Sequence, residues 1–431
     1  MLRHADQRSA DCALSRRQVT SWRNSMFLIF GLSGLGLASW VTRIPAVRDA
    51  LGSSTLEMGL LFFGVAVGSI AGLLASGHLI ARLGARKALV ACLTIGPTGL
   101  IVAGFGGGVA TSFGVVFAGL MIFGVSAAVS GVAINVSGAA NERALGRTIM
   151  PIFHACFSGG TMIGAGLGAL AELLNISVVF HIGVIAVTMF AVGQLALRHV
   201  QHELILNAAD KNADRTAGLS TDKLSTAELS TAELASDWRS RLSLWREPRV
   251  LMIGIIVLGM AFAEGSANDW LALAAVDGYG VANEVGALMF GLFVTAMTVG
   301  RLLGGFLLDR FGRVPVLRGS AVLAVVGLSL VIFGGSIGVA VAGTVLWGLG
   351  SALGFPVGMS AAADDPRNAA ARVSIVATIG YAAGLIGPPL IGGLGQQFGL
   401  LNALLVVLGL LAAAGFCSGA ARKQGLAAPV A

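Results

Sequence analysis

The chain has 431 residues, of which 56% are hydrophobic and 11% are charged. A soluble globular protein of this length is excluded, because so few polar residues would not cover its surface. The formal net charge of +7 is distributed along the chain as in a membrane topology, and no nucleic-acid partner is expected. The composition therefore predicts an integral membrane protein that contacts a lipid bilayer.

Twelve segments are apolar and long enough to cross a bilayer core, which requires roughly 20 residues of helix. They predict an all-α membrane protein with twelve transmembrane helices in two pseudo-symmetric six-helix bundles. The predicted spans, in chain order, are 26–46, 58–80, 87–106, 112–139, 149–170, 177–197, 250–275, 284–308, 315–334, 338–361, 371–393 and 399–419.

The predicted domains are two tails, two bundles and a linker between the bundles. They are a cytoplasmic N-terminal tail, the N-terminal bundle, a cytoplasmic linker, the C-terminal bundle and a cytoplasmic C-terminal tail, at 1–25, 26–197, 198–249, 250–419 and 420–431. The linker is polar and repeats the pentapeptide Ser-Thr-Ala-Glu-Leu twice in succession, which is typical of a solvated connection.

The basic residues predict the topology. Most of the 28 Lys and Arg residues lie in the tails or in the even-numbered connections, and only Arg43 and Arg48 lie at ends assigned to the outside. Because cytoplasmic connections are enriched in Lys and Arg, a multi-pass protein with both termini in the cytoplasm is expected. The four cysteines fall in the inner tail or in spans, which argues against a disulfide framework.

Helix one ends with the run Trp40-Val41-Thr42-Arg43-Ile44-Pro45. An ionisable side chain in a membrane is costly unless it faces a partner or water, so Arg43 marks a candidate functional position. We predict that Arg43 and Trp40 contribute to a substrate site, where Trp40 stacks on a sugar or another ring. Asn135, toward the inner end of helix four, is predicted to contact the substrate at an inner gate.

Helix seven carries two carboxylates, Glu264 and Asp269, about 7 Å apart along the axis at 1.5 Å per residue. Five residues are about one and a half turns, so the two groups are predicted to point to different sides and to have different functions. We predict that Glu264 carries a proton, with Asp269 as a second proton-coupling group. Asn268, Asp269 and Trp270 are predicted to contact the substrate.

A pseudo-two-fold relation between the halves predicts a partner for these carboxylates. A shift of 228 residues places Arg43 beside Asp269, so the sequence predicts an ion pair of Arg43 with Asp269 or Glu264. A purely structural ion pair is the alternative. Arg301, in helix eight, is predicted to extend its side chain inward or to pair with an inner loop.

A short turn rich in glycine and arginine occurs in both halves, at 77–85 after helix two and at 305–313 after helix eight. Its glycines allow neighbouring helices to approach closely, and its basic residues hold the turn on the cytoplasmic side. The second copy, Gly-Phe-Leu-Leu-Asp-Arg-Phe-Gly-Arg, resembles the loop motif of the major facilitator superfamily, Gly-x-Leu-x-Asp-Arg-x-Gly-Arg.

This resemblance implies an inner gate built from charged residues near the two turns. The family aspartate is Asp309 in the second copy, whereas the first copy has Ala81. We therefore predict an asymmetric gate, in which Asp364 or Asp365 contacts Arg82 or Arg86 and Asp309 contacts Arg143 or Arg147. The predicted gate residues are Arg82, Arg86, Arg143, Arg147, Asp309, Arg310 and Arg313.

Outside its tails and linker the chain resembles a major facilitator superfamily transporter. The runs at 38–45, 264–270 and 354–358 are similar to those of the YbjJ group of bacterial inner-membrane proteins and, more distantly, to fucose-permease-type symporters. The resemblance implies a monomer in the bacterial inner (cytoplasmic) membrane that transports a small polar solute, such as a sugar, by alternating access. Proton coupling is expected, and helix seven would have to carry the proton, since helices one and four lack mid-depth carboxylates.

Two alternatives remain open. An exporter of amphipathic compounds would have a larger, more aromatic and less charged cavity, and a non-transporting membrane receptor on the same fold would not need a titrating Glu264. The chain has no Walker loop, no HExxH motif and no nucleophile elbow. No enzymatic activity, metal or cofactor is therefore expected.

Overall fold

The computed structural model describes residues 14–147, 149–201, 244–364 and 369–422. These residues form helices and connections and include no β-strand, which confirms the predicted all-α class. The helices are α1 Arg16–Val41, α2 Ile44–Leu51, α3 Thr55–Leu83, α4 Ala85–Gly108, α5 Phe113–Leu145, α6 Met150–Leu173, α7 Val178–Leu197, α8 Pro248–Tyr279, α9 Asn283–Phe311, α10 Arg313–Phe333, α11 Ile337–Ser351, α12 Gly354–Ala362, α13 Ala369–Phe398, α14 Leu400–Ala403 and α15 Leu405–Cys417.

In the described part of the chain, 11 segments are long and apolar enough to cross a membrane. Helices α11 and α12 together form one of them, as do α14 and α15 with the turn that follows. Helix α6 is not among the 11, but its 24 residues span about 36 Å, which exceeds a bilayer core of about 30 Å. The predicted number of twelve spans is therefore approximately confirmed.

Several helices are longer than their apolar segments. Helix α1 begins at Arg16 and α8 extends to Tyr279, beyond the predicted spans 26–46 and 250–275. Hydropathy detects the part of a helix that lies in the hydrocarbon core, whereas backbone hydrogen bonding continues into the polar interface. At its other end α1 stops at Val41 and α2 begins at Ile44, with Pro45 in its first turn, where a missing amide hydrogen is tolerated.

The duplicated turn has the same backbone conformation in both halves. Gly84 has φ 77° and ψ 155° between α3 and α4, and Gly312 has φ 78° and ψ 170° between α9 and α10. This region of backbone space is essentially restricted to glycine. The glycine of each copy is therefore required by the sharp reversal between two long helices.

Packing divides the described residues into two compact units. The first unit comprises 14–39, 64–147, 149–164 and 177–201, and the second comprises 40–63, 165–176, 244–364 and 369–422. The second unit thus includes the end of α1, all of α2, the start of α3 and the end of α6 together with α8 to α15. The domain boundaries predicted from sequence follow the order of the helices, and they stay a prediction.

Polar and aromatic contacts fix helices within each unit. In the first unit, the indole nitrogen of Trp22 donates to the Ser137 hydroxyl at 3.1 Å, and Trp22 is fully buried. In the second unit, the Trp347 ring lies 5.3 Å from the Phe293 ring. The Tyr279 hydroxyl donates to the Val331 carbonyl at 2.6 Å, which holds the end of α8 against α10.

Candidate functional site

Helix α8 has one polar, half-buried face at its middle. Between positions 261 and 270, the half-buried residues are Ala261, Glu264, Gly265, Asn268 and Asp269. The buried residues of the same stretch are Phe262, Ala263, Ser266, Ala267 and Trp270. At about 100° per residue, the first group falls within an arc of about 140° and the second group falls on the opposite side. The two carboxylates therefore form the two edges of a single face.

This face borders open space. A side-chain carbon built at Gly265 would have no heavy atom within 4 Å. Glu264 lies at the middle of the 32-residue helix, where contact between a carboxylate and lipid would be costly. The face is therefore suited to line a water-accessible cavity within the membrane.

Glu264, at one edge of the face, is paired with Arg301 of α9. The Nη2 atom of Arg301 donates to Oε1 at 3.0 Å and to Oε2 at 3.1 Å. The pair is open, because the side chains are 37% and 28% exposed for Arg301 and Glu264 respectively. The expectation that Arg301 extends inward or pairs with a loop is wrong, since a carboxylate at similar depth on the neighbouring helix satisfies its charge.

The other polar groups of the face are free in the described structure. Neither Asp269 nor Asn268 makes a hydrogen bond or an ion pair with a described residue. The Nε and Nη1 atoms of Arg301 likewise have no hydrogen-bond partner among the described residues. A carboxylate, an amide and part of a guanidinium group are thus available to a ligand or to water.

The predicted ion pair of Arg43 with Asp269 or Glu264 is wrong. The Nη1 atom of Arg43 lies 3.1 Å from Oε1 of Glu172, and Nη2 donates to the Ile176 carbonyl at 2.5 Å. The contact with Glu172 is a charge contact without hydrogen-bond alignment. The Arg43 and Glu172 side chains are 3% and 10% exposed respectively. Because α1 ends before Arg43, the Arg43 side chain turns toward the end of α6.

A second set of polar contacts lies near Arg43 in the second unit. We call Arg48, Asp49, Asp277 and Asn283 the Arg48 cluster. Arg48 contacts Asp277 at the end of α8 and Asp49 at 2.9 Å, and Asn283 donates to Asp49 at 3.1 Å. Burial lowers the pKa of Arg48, but the hydrogen bonds to Asp277 and Asp49 outweigh burial and raise it overall. Arg48 therefore stays charged at physiological pH.

The two tryptophans predicted to contact substrate are core residues in this structure. Trp40 is 4% exposed and Trp270 is 0% exposed. The Trp270 ring packs edge-on against Phe62, with 5.0 Å between ring centres. Neither indole has an exposed face on which a sugar could stack, because the end of α1 and the start of α3 pack tightly in this unit.

Asn135 lies in the first unit, on α5. Its side chain is exposed, and Nδ2 donates to the Gly131 carbonyl of its own helix at 2.7 Å. This bond leaves the amide oxygen available to a ligand. Its predicted contact with substrate stays a prediction.

The predicted gate residues are mostly exposed at helix ends. Arg82, Arg143, Arg147, Asp309 and Arg310 are exposed, and Arg86 and Arg313 are half-buried. Arg86 donates through Nε to the Leu197 carbonyl at 3.2 Å. The predicted contact of Asp309 with Arg143 or Arg147 stays a prediction.

Asp364 has two basic partners within the second unit. Asp364 accepts from Arg313 at 2.7 Å and from Arg249 at 3.3 Å, so both charges near it belong to the second unit. Arg313 is the last residue of the loop motif, and the predicted contact of Asp364 with Arg82 or Arg86 stays a prediction. Asp365 lies outside the described residues.

Two ion pairs were not predicted from the sequence. They are the pair of Arg43 with Glu172 and the pair of Arg301 with Glu264. Glu172 lies just beyond the predicted span 149–170, so the sequence places it in a connection. Arg301 precedes the loop motif, where basic residues are common. A search for opposite charges at equal depth on successive helices would have found the Arg301 pair, since Glu264 and Arg301 lie 37 positions apart, about one helical hairpin.

The described residues include no group of three or more His, Cys, Asp or Glu side chains that could hold a metal ion. The polar groups without a described partner are the Asp269 carboxylate and the Asn268 amide on α8 and part of the Arg301 guanidinium on α9, and they suit an organic solute. The expectation that no cofactor is needed stays a prediction.

Comparisons with known proteins agree with this architecture. The sequence profile of the Major Facilitator Superfamily matches residues 26–283 and 270–424. An uncharacterized MFS-type transporter of Yersinia pestis is 28% identical over 391 residues, 89% of this chain and 91% of that protein. The relative is a transporter and not an enzyme.

Two solved structures share the fold. The nucleoside transporter NupG has a TM-score of 0.70 at 16% identity, and the match covers 94% of this chain and 100% of that chain. A D-xylose-proton symporter has a TM-score of 0.69 at 12% identity, and the match covers 94% of this chain and 100% of that chain. With the repeated turn and the membrane spans described above, the matches show that the chain belongs to the major facilitator superfamily and is a multi-pass membrane transporter.

Proposed function

We propose that the protein couples the transport of a small polar solute, such as a sugar or a related compound, to protons by alternating access. The observation that supports this proposal most strongly is the α8 face, where one carboxylate is paired with Arg301 and the other has no described partner. A carboxylate without a cation inside a membrane is most stable when it carries a proton. An unpaired carboxylate inside the membrane, such as Asp269, has the environment expected for a group that binds a proton in one state of the transporter and releases it in another.

Within this proposal Asp269 carries the proton and Glu264 positions Arg301. This assignment departs from the expectation that Glu264 is the main proton carrier, because Glu264 already has Arg301 as its partner, whereas Asp269 has none among the described residues. Loss of the proton from Asp269 would leave the face with one uncompensated negative charge. Binding of solute and proton together therefore restores neutrality.

Alternating access requires the end of the second unit around the Arg48 cluster to open and close. That end is held by Arg48 and Asn283 and by close backbone packing, since a side-chain carbon at Gly59 would lie 2.6 Å from the Pro388 carbonyl oxygen. We place this end outside the cell and both termini in the cytoplasm of a bacterium, because basic residues are enriched on the inner side. A monomer suffices for this cycle.

The two structural neighbours support the substrate class only through their fold. One is named for nucleosides and the other for D-xylose with protons. Both kinds of solute are small, polar and rich in hydroxyl groups. These properties match the polar groups left free on α8.

The test uses proteoliposomes that contain a pH-sensitive dye. Monosaccharides, inositols and nucleosides are added to them in turn. Native protein should acidify the lumen when one of these solutes enters. Asp269→Asn should abolish this proton movement but retain exchange of solute for labelled solute, since exchange needs no net proton transfer. Glu264→Gln should lose both, because Arg301 is left without its partner.

The matched control is Glu57→Gln, which removes an exposed carboxylate from the same unit. Glu57 closes a capping box with Ser54, and glutamine preserves this motif. If Glu264→Gln retained exchange while losing proton movement, Glu264 would be the carrier. Proton movement driven only by amphipathic compounds would favour the exporter, and binding without any exchange would favour the receptor.

A further inference from the structure

We propose that one end of the α4–α7 helix pair binds the headgroup of an anionic phospholipid. We call Arg86, Lys87 and Arg198 the Arg86 cluster. Arg86 and Lys87 lie in the first turn of α4, and Arg198 directly follows α7. The Nε atom of Arg86 donates to the Leu197 carbonyl at 3.2 Å, which brings the three residues together. The inference concerns a lipid and does not depend on the transported solute.

The positive charge of the Arg86 cluster is not neutralised within the described part of the first unit. Lys87 and Arg198 are exposed, and their side chains make no hydrogen bond or ion pair with a described residue. Glu142 is the only carboxylate among the described residues of this unit. It accepts from two backbone amides at the start of α6, at 2.6 and 2.7 Å. The cluster therefore offers three positive charges to an external anion.

Arginines near the repeated turn of the second unit are neutralised internally. Arg313 and Arg249 contact Asp364 at 2.7 and 3.3 Å, and Arg372 contacts Glu247 at 2.9 Å. The general enrichment of basic residues on the cytoplasmic side would supply positive charge to both units. It does not explain why the second unit provides carboxylate partners while the Arg86 cluster lacks them. The cluster is therefore suited to a partner from outside the protein.

An exposed and largely apolar stripe runs from the Arg86 cluster along each of the two helices. On α4 the exposed positions that follow Lys87 include 90, 94, 98, 101 and 105. On α7 the exposed positions that precede Arg198 include 195, 191, 187, 184 and 180. Residues three or four apart lie on one face of a helix. Each basic residue therefore stands at the end of a face that acyl chains can cover.

The two stripes adjoin where α4 packs against α7. The Nε2 atom of Gln194 donates to the Val90 carbonyl at 3.2 Å and to the Thr94 hydroxyl at 3.1 Å. Val90 and Gln194 each lie about one helical turn from the Arg86 cluster. The exposed side chains of Val90 and Leu195 thus offer an apolar surface to the first carbons of an acyl chain, directly beside the charges.

This combination of charge and apolar surface fits a phospholipid better than a soluble acid. Guanidinium groups match phosphate oxygens geometrically, and an ammonium group adds a positive charge. Basic residues beside a membrane attract anionic lipids, by roughly five-fold in affinity for each residue. An acidic soluble protein could contact the charges but would leave the two stripes unused.

The experiment measures lipid retention by the purified full-length protein in a neutral detergent. Phosphatidylglycerol and phosphatidylcholine with identical acyl chains are added in equal amounts, and bound lipid is counted by native mass spectrometry. Phosphatidylglycerol should bind at least about ten-fold more tightly, since several basic residues contribute. Equal retention of the two lipids would overturn the proposal.

Paired variants locate the effect. Lys87→Gln with Arg198→Gln should weaken phosphatidylglycerol binding by roughly ten- to thirty-fold and leave phosphatidylcholine unchanged. The matched control, Arg16→Gln with Arg17→Gln, removes two exposed positive charges from the start of α1 in the same unit and should change lipid retention little. Equal losses in the two double variants would mean that overall charge, and not this cluster, attracts the lipid.

Two other occupants of the Arg86 cluster are distinguished by the same variants. Inorganic phosphate, added in excess, should not displace phosphatidylglycerol, because it makes no contact with the stripes; full displacement would indicate a site for a free anion. The linker at 202–243 carries carboxylates and is the other candidate. If it occupied the cluster, Lys87→Gln with Arg198→Gln would lower the unfolding temperature in lipid-free detergent. A lipid site predicts no such change, so either result would overturn the proposal.

Discussion

Two arginine–glutamate pairs within the second unit have opposite characters. Arg43 and Glu172 are almost completely buried, at 3% and 10% exposure, and a backbone carbonyl supplies a further acceptor. Arg301 and Glu264 are 37% and 28% exposed, and part of the guanidinium has no described partner. The comparison teaches that charge type does not separate a structural ion pair from a functional one, whereas burial and unused hydrogen-bonding groups do.

Breaking the buried pair should have the largest effect on stability. Arg43→Met leaves Glu172 buried without a cation, and loss of one partner of a buried pair costs about 3–5 kcal/mol. The unfolding temperature in detergent should fall clearly, and Arg43→Met with Glu172→Leu should recover much of the loss. A single variant as stable as the native protein would contradict the structural role of Arg43.

Breaking the open pair should affect transport more than stability. Arg301→Met should lower solute transport by roughly ten- to hundred-fold, because hydrogen bonds to charged groups contribute about 1.5–3 kcal/mol. The unfolding free energy should change by less than about 1 kcal/mol, as for other solvent-accessible pairs. If Arg301→Met unfolded the protein as readily as Arg43→Met, the distinction between the two pairs would fail.

The Arg48 cluster should show an intermediate behaviour. Arg48→Ala removes a partly exposed contact of about 1 kcal/mol, which corresponds to about a five-fold shift toward the open state. The reporter is Gly265→Cys, in a protein whose native cysteines are replaced by serine, labelled from outside with an impermeant thiol reagent. Labelling should be faster in Arg48→Ala, and high salt should accelerate it only when Arg48 is present.

Arg318→Ala is the matched control for Arg48, since it removes one arginine that donates to the Ser418 hydroxyl at 3.1 Å. This control should leave labelling at position 265 unchanged. An equal acceleration in both variants would mean that loss of positive charge, and not loss of the Arg48 contacts, opens that end.

The smallest effects are expected at the two loop-motif turns. Asp309→Asn should lower transport several-fold, whereas Ala81→Asn should change it little, because only the second copy carries the family aspartate. Exposed charge contacts contribute about 1 kcal/mol or less. Transport rates in vesicles check this prediction, and equal effects at the two positions would argue against an asymmetric gate.

The spans were predictable because hydropathy depends on composition within one segment. The positions of the loop-motif glycines were also predictable, since the same conformational demand occurs at Gly84 and Gly312. The ion pairs were not. The partner of Arg43 depends on where α1 ends, and Glu172 is 129 positions away in the sequence.

The sequence alone determined that this chain is a duplicated, all-helical membrane protein with charges at mid-depth, because composition, periodicity and repeated turns are local properties. Only the tertiary structure decided which charges are neutralised. It buried Arg43 with Glu172 and left Arg301 and Glu264 partly exposed. It gave Asp269 and Asn268 no partner among the described residues. These differences arise from packing between distant segments, and the energy of a charge in a membrane depends on its neighbours rather than on its position in the chain.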